Sequence, residues 1–164
     1  MQFKQIEESD IQELEKLIGK EYVCYDNEIL SNYSHDETED LSFKPDLVVK
    51  PRTADEISEL LIYCNNNKIS VTPCGARTGL SGGSLPVYGG VVLSMERFNS
   101  ILKIDEQNLQ ATVEPGVINQ VFQDAVKEKG LFYPPDPASK GSCFLGGNLA
   151  ENAGGPKALK EGGT

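Results

Sequence analysis

Glycine is concentrated in two stretches of this 164-residue chain, and both are candidates for binding chemistry. Thirteen of the sixteen glycines lie in residues 75–90 and 141–163. Glycine tolerates positive φ and lets a ligand approach the backbone, and consecutive N–H groups in such a turn form a concavity that binds anions. The pattern therefore indicates recognition of a diphosphate by backbone. The alternative is that both stretches are long surface turns.

The first stretch, VTPCGARTGLSGGSLP (residues 71–86), contains few side chains that could bind a ligand. They are one cation and three hydroxyl groups: Arg77, Thr78, Ser81 and Ser84. A P-loop requires Gly-Lys at the end of its motif, and no lysine occurs between Lys68 and Lys103. The G-x-G-x-x-G pattern of a Rossmann fold is also absent, and the stretch is followed by a predicted strand instead of a helix. These patterns leave a backbone anion site of another kind.

The second stretch, FYPPDPASKGSCFLGGNLAENAGG, adds a rigid Pro-Pro-Asp-Pro turn and polar side chains. Ser142, Asn148 and Asn152 could hydrogen-bond the edges of a heteroaromatic ring and the hydroxyls of a ribityl or ribose chain. Phosphate alone would not require them. The structural alternatives are a plain surface turn for the prolines and turn or cap roles for the asparagines.

Composition excludes several other classes of function. The net charge is −10 and the pI is about 4.6, which disfavours binding to nucleic acid or to an anionic membrane surface. No apolar run is long enough to span a bilayer and the N-terminus lacks a signal-peptide pattern, so we expect a cytoplasmic protein. Four scattered cysteines and the single His35 lack the spacing of a metal site, so no metal is expected.

The elements that would position the first stretch form a strand, helix, strand unit. Residues 46–49 are strand-like, Thr53 and Glu56 have capping-box spacing before a helical periodicity, and residues 69–73 are again strand-like. The loop therefore begins at the carboxyl end of a strand, where open α/β sheets bind ligands. Upstream, Ser9 and Gln12 predict the start of a helix that ends at Gly19, and residues 25–45 are expected to be an extended segment or loop.

The pattern changes near residue 100. Residues 89–98 predict a third strand, residues 101–117 an antiparallel hairpin, and residues 118–130 a helix that ends at Gly130. A parallel arrangement thus gives way to an antiparallel one, and we place a subdomain boundary there.

Taken together, four segments resemble a known family. PCGARTGLSGGS, VEPGV, PPDPASKGSCFLGGNLAENAGGPKALKEGGT and YSHDET resemble the N-terminal half of FAD-linked oxidases related to the glycolate oxidase flavin subunit, D-lactate dehydrogenase and D-2-hydroxyglutarate dehydrogenase. The resemblance covers about residues 20–164. It departs from the family at Arg77, where many relatives have a small residue, and at EGGT, where Tyr-Gly-Thr-Thr is common.

The resemblance implies an α+β fold of the PCMH type, whose two subdomains clasp FAD. The first, a small parallel α/β subdomain, would be residues 1–98, and residues 99–164 would begin a truncated antiparallel α+β subdomain, with the substrate domain absent. It also implies that the first stretch wraps the FAD pyrophosphate and that the second lines the flavin. The residues implied in cofactor binding are Pro73, Cys74, Gly75, Ala76, Arg77, Thr78, Gly79, Leu80, Ser84, Pro135, Asp136, Pro137, Gly141, Ser142, Gly146, Gly147, Asn148, Asn152, Ala153, Gly154 and Gly155.

The activity that the resemblance implies is oxidation of a small-molecule 2-hydroxy acid by hydride transfer to flavin N5. No histidine occurs in the first stretch, so non-covalent FAD is expected. No catalytic residue is assigned, the electron acceptor is unknown, and a chain ending at Thr164 is expected to be an inactive fragment. Two alternatives remain open: a related flavoenzyme for an aryl alcohol or amino-sugar nucleotide, and a binding protein that has lost flavin.

Overall fold

A computed structural model describes residues 3–164, except for the side chain of residue 161. The chain divides into two compact units, Met1–Arg97 and Phe98–Thr164. Each unit has its own hydrophobic core, and each is described below by itself.

The first unit begins with helix α1 (Glu8–Ile18), whose predicted start at Ser9 is wrong by two residues. The N-cap is Glu7, because the buried carboxylate of Asp10 accepts a hydrogen bond of 2.9 Å from its N–H. Lys4 and Tyr63 also hydrogen-bond Asp10 and hold it in place. The predicted helix end at Gly19 is confirmed, with φ +99°.

The segment expected to be extended, residues 25–45, contains a short helix, α2 (Asn27–Asn32). Asp26 caps it by accepting a hydrogen bond from the Glu28 N–H. Leu30 and Tyr33 are buried three residues apart. The prediction was wrong here because six residues are too few to display a helical period.

A four-stranded sheet forms the centre of the first unit, in the order β1-β2-β4-β3. Its strands are β1 (Val23–Cys24), β2 (Leu47–Val49), β3 (Val71–Cys74) and β4 (Val91–Ser94). β2 and β3 are both parallel to β4, and β1 adds an antiparallel edge. The predicted crossover helix is α3 (Ala54–Asn67), and its predicted N-cap is confirmed because Thr53 accepts a hydrogen bond from the Glu56 N–H.

The second unit contains the predicted antiparallel hairpin, β5 (Ile101–Asp105) and β6 (Gln110–Val113). The predicted helix is α4 (Asn119–Lys127), which buries Phe122 and Val126 against Val117 and Leu145. Two further helices lie in the second glycine-rich stretch and were not predicted: α5 (Leu145–Ala150) and α6 (Ala158–Glu161).

Candidate functional site

The carboxyl edge of the three parallel strands gathers the candidate residues of the first unit. β2, β4 and β3 run in the same direction, so the residues that follow them meet at one edge. Glu37 N–H donates to the Gly79 carbonyl at 3.1 Å, which fastens the first glycine stretch to the YSHDET segment, Tyr33–Thr38. Ser84 Oγ lies 3.5 Å from Asp36 Oδ2 as a second, weaker link. Two of the segments singled out in the sequence are therefore adjacent.

The first glycine stretch leaves its backbone donors unused. None of the six consecutive N–H groups of residues 75–80 donates a hydrogen bond to an acceptor within residues 3–97. Five of these residues are half-buried and Leu80 is exposed. Because backbone N–H groups normally find an acceptor, these six are available to an acceptor from outside the chain, such as water or an anion.

Gly79 has no internal reason to be glycine. A Cβ built on it would meet no heavy atom within 4 Å, and its φ lies outside the left-handed region. Gly90, at the far end of the same segment, is different: its φ is +71° and a Cβ would lie 2.3 Å from the Ser70 carbonyl oxygen. The fold thus requires glycine at position 90, whereas at position 79 it leaves open space beside the free N–H groups.

The side chains of this loop differ in their surroundings. Cys74 is buried in the core, and burial raises the pKa of its thiol. Pro73 and Leu80 are exposed. Arg77 adopts φ +60°, and its guanidinium carbon lies 4.1 Å from the centre of the Tyr33 ring.

A network of polar side chains holds the Tyr33 hydroxyl in place. Its hydroxyl donates to Glu96 Oε2 at 2.7 Å, and Lys50 Nζ lies 2.7 Å from Glu96 Oε1. Burial alone would raise the pKa of Glu96, but the hydrogen bonds from Lys50 and Tyr33 outweigh it and hold the pKa below its ordinary value. The network therefore keeps Glu96 ionised and Tyr33 fixed at the sheet edge.

In the second unit, the Pro-Pro-Asp-Pro turn is held by charge. Asp136 lies between Lys140 Nζ at 2.7 Å and Lys157 Nζ at 3.2 Å, and the hydrogen bonds from these lysines lower its pKa. Pro135 and Pro137 are buried on either side. The two lysines therefore compensate the charge of the predicted cofactor residue Asp136.

Asn148 is also engaged inside the second unit. It is 5% exposed, and its amide donates to Asn119 Oδ1 at 3.1 Å. Asn119 in turn donates to the Pro135 carbonyl at 3.3 Å, as does Gln123 at 2.8 Å. These hydrogen bonds tie α5 and α4 to the proline turn, a structural role for Asn148 that is neither a turn nor a cap.

The glycines of the second stretch fall into two groups. A Cβ on Gly146 would lie 2.6 Å from Pro115 Cβ, and one on Gly155 would lie 2.2 Å from the Asp136 carbonyl oxygen. Close packing therefore requires glycine at both positions. In contrast, a Cβ on Gly141 or Gly147 would meet nothing within 4 Å.

The remaining predicted residues of the second stretch are turn residues near the surface. Ser142 is exposed and bonds the Ser139 carbonyl, and Asn152 is exposed with φ +50° in the turn after α5. Ala153 donates to the Asn148 carbonyl and accepts from Thr164, and Gly154 is half-buried.

Sequence reasoning missed the residues that position these loops. Tyr33, Lys50 and Glu96 support the first loop, and Asn119 and Gln123 support the proline turn. One signal was available for Asn119, a polar residue three positions before Phe122 on the apolar face of α4. No comparable signal links Tyr33 to Glu96, because 63 residues separate them.

The residues present in the first unit fit the diphosphate of a dinucleotide. Six free N–H groups, the open space at Gly79 and the Arg77 cation are the donor set that such an anion needs. Within residues 3–164, no cluster of His, Cys, Asp and Glu side chains could hold a metal ion. No helix in that range is long and apolar enough to cross a membrane.

The chain is similar in sequence to a known family and to several curated proteins. A family model described as FAD binding domain matches residues 45–164. Glycolate oxidase subunit GlcD of Bacillus subtilis is 48% identical over 132 residues, which are 80% of this chain and 28% of that protein. D-lactate dehydrogenase of Anaerostipes hadrus is 42% identical over 151 residues, 91% of this chain and 31% of that protein.

A solved structure of alkyldihydroxyacetonephosphate synthase superposes with a TM-score of 0.86 over 99% of this chain and 32% of its own, at 21% identity. The predicted α+β fold of the PCMH type is confirmed. The chain spans less than a third of the length of these curated relatives. Since the family model covers residues 45–164 and includes the first loop, the second stretch and the proline turn, the chain belongs to the family of FAD-binding domains.

Proposed function

We propose that residues 75–80 bind the diphosphate of FAD through their backbone N–H groups. The observation that carries this proposal is the run of six consecutive N–H groups without an acceptor in residues 3–97. A diphosphate would accept several hydrogen bonds from such a turn, and hydrogen bonds to an ionised acceptor are stronger than neutral ones. The net charge of −10 makes this local donor set necessary, since the chain as a whole repels anions.

Gly79 gives the ligand its access to the backbone. The Cβ position is empty and the conformation does not require glycine, so a side chain there would cost the fold little. It would, however, fill the space beside the N–H groups that the diphosphate needs. Ligand binding thus supplies the reason for glycine that the fold does not.

For the second stretch we propose contact with FAD mainly through Gly147, Gly141 and the surface of the proline turn. Gly147 and Gly141 have open space at the Cβ position, and the buried prolines with the Asp136 ion pairs make the turn stiff. Ser142, Asn152, Ala153 and Gly154 stay candidates for this surface. The Asn148 side-chain amide donates a hydrogen bond to Asn119 inside the second unit. Any contact of Asn148 with cofactor would therefore be made by its remaining polar atoms.

We further propose that the protein oxidises a 2-hydroxy acid. The support is the similarity to proteins named glycolate oxidase subunit GlcD and D-lactate dehydrogenase. FAD supplies a hydride acceptor at N5, while the substrate hydroxyl gives its proton to a base. Residues 75–80 would orient the cofactor, and no base is assigned to this chain.

We propose that FAD is held without a covalent bond. Residues 71–86 contain no histidine, and the one thiol of that stretch, Cys74, is buried. The single histidine, His35, is exposed in the YSHDET segment. Denaturation by heat or acid should therefore release all flavin into the supernatant. Flavin that stays with the precipitated protein would contradict this part of the proposal and direct attention to His35.

The test of the proposed function is flavin content and turnover in protein expressed from the complete reading frame. The expected result is flavin absorbance, reduction of that absorbance by D-lactate or glycolate under anaerobic conditions, and competition between ADP and FAD for the apoprotein. Colourless protein that takes up no added FAD would overturn the cofactor assignment. Protein that binds FAD but is reduced by no 2-hydroxy acid would overturn the substrate class alone.

A further inference from the structure

Arg77 combines two features that the fold alone does not explain. It is a non-glycine residue at φ +60°, in a region of conformational space that such residues rarely adopt. Its guanidinium stacks on the Tyr33 ring at 4.1 Å and makes no ion pair with a carboxylate of residues 3–97. Unusual backbone conformations that persist at a ligand loop commonly serve function.

The Tyr33 ring that carries this guanidinium is itself immobilised. Its hydroxyl donates to Glu96 at 2.7 Å and lies 3.3 Å from Ser94 Oγ, and Glu96 is paired with Lys50 at 2.7 Å. Lys50 Nζ also lies 5.7 Å from the ring centre. Because Glu96 is already paired with Lys50, it does not form an ion pair with Arg77.

The guanidinium also borders open space next to the free N–H groups. Arg77 and Ala76 line a cavity of about 360 Å³ together with Tyr33 and Lys50, and the acidic residues Asp36 and Glu37 line it as well. Ala76 and Arg77 both belong to the six-residue run of unused backbone donors. An anion on those donors would therefore lie beside a guanidinium whose position the Tyr33 stack fixes.

We infer that Tyr33 is a positioning residue that holds the Arg77 guanidinium as a side-chain counter-ion for the FAD diphosphate. This inference rests on the proposed function, because it needs a diphosphate on residues 75–80. The stack fixes the plane of the guanidinium, and a planar guanidinium can donate two parallel hydrogen bonds to phosphate oxygens. The Glu96 and Lys50 pair acts one step further away, by fixing the Tyr33 hydroxyl.

The first experiment replaces Arg77 by glycine, which suits φ +60° and so should leave the melting temperature unchanged or higher. FAD and riboflavin are titrated into apoprotein made from the complete reading frame. We expect Arg77→Gly to weaken FAD binding about tenfold, which corresponds to about 1.4 kcal/mol. Riboflavin, which lacks phosphate, should bind within about twofold of the parent.

The second experiment separates positioning from general structure with Tyr33→Leu, alone and in the Arg77→Gly background. Alone it should weaken FAD binding about threefold, and in the Arg77→Gly background it should have no further effect. Arg77→Lys, which keeps charge but not the planar stack, should bind FAD with an affinity between those of the parent and Arg77→Gly.

The outcomes separate this inference from the proposed function. If parent apoprotein binds neither FAD nor ADP, the proposed function fails and the inference fails with it. If parent binds FAD and Arg77→Gly binds it equally well, only the inference fails. An equal loss of FAD affinity from Tyr33→Leu with and without Arg77 would overturn the positioning role of Tyr33.

Discussion

The two glycine-rich stretches have similar compositions but differ in their hydrogen bonding and packing. In residues 75–80 the backbone donors are unused and Gly79 faces open space. In residues 141–155 most N–H groups are bonded within the second unit, and Gly146 and Gly155 are packed against Pro115 and Asp136 so closely that no room is left for a side chain. The first stretch therefore keeps backbone donors available for a ligand, whereas most donors and several glycines of the second stretch stabilise the second unit itself.

This difference teaches how to separate the two reasons for a glycine. A glycine with positive φ or a crowded Cβ position, such as Gly90 or Gly155, is explained by the chain itself. A glycine with ordinary φ and open space, such as Gly79 or Gly147, needs an explanation outside the chain. Substitutions at glycines of the first kind should therefore destabilise the fold, whereas those at glycines of the second kind should weaken ligand binding without destabilising it.

The largest expected effect is at Gly79. Gly79→Val should weaken FAD binding about a hundredfold or more, about 2.8 kcal/mol, because the side chain fills the space beside the N–H groups. The melting temperature should stay close to that of the parent, since the Cβ meets nothing within 4 Å. FAD titration and thermal unfolding of the same samples check both halves. Unchanged flavin affinity would remove Gly79 from the site.

At Gly146 we expect the opposite result, a loss of stability that is already present without FAD. Gly146→Ala places a Cβ 2.6 Å from Pro115 Cβ, and such overpacking typically costs about 1–3 kcal/mol of unfolding free energy. Chemical denaturation of apoprotein measures it. A variant as stable as the parent would show that α5 can move away from Pro115 without a loss of unfolding free energy.

Gly147 is the matched control for Gly146, one residue further along the same helix. Gly147→Ala adds a Cβ in open space within α5, so it should stabilise the apoprotein by about 0.5–1 kcal/mol. The same variant should bind FAD more weakly if cofactor approaches this surface. A more stable variant with parental FAD affinity would confine the cofactor contacts to other residues.

The smallest effect is the pH dependence contributed by Glu96. Its pKa in the folded protein lies below the ordinary value of 4.5, so its stabilising contribution is complete above pH 4.5 and is lost as the pH falls through the folded pKa. The stability difference between the parent and Glu96→Gln should therefore shrink below pH 4.5. Glu59→Gln, at an exposed position, is measured in parallel as the control for the loss of one carboxylate.

Sequence patterns predicted the elements whose signals are local. Thr53, Glu56 and the apolar period of α3 specify that helix from consecutive residues, and the alternating runs of β5 and β6 specify the hairpin. They failed where a partner lies outside the pattern. Asp10 accepts the hydrogen bond from the N-cap Glu7 because Lys4 and Tyr63 hold its carboxylate, and Tyr63 is 53 residues away.

The same limit applies to the site. Clustering of glycines located both stretches, but the sequence does not distinguish the surroundings of Gly79 from those of Gly146. Only the position of Pro115 beside one and the empty space beside the other distinguish them. The support of Tyr33 by Glu96 is likewise a tertiary contact that no local pattern encodes.

Amide hydrogen exchange tests most directly whether the two stretches differ as described. Without FAD, the N–H groups of residues 75–80 should exchange fast, because they have no acceptor in their unit, whereas those bonded in residues 143–153 should be protected. Adding FAD should slow exchange in residues 75–80 by about tenfold or more, as each N–H gains a phosphate acceptor. FAD that binds without slowing exchange in residues 75–80 would contradict the assignment of this loop to the diphosphate.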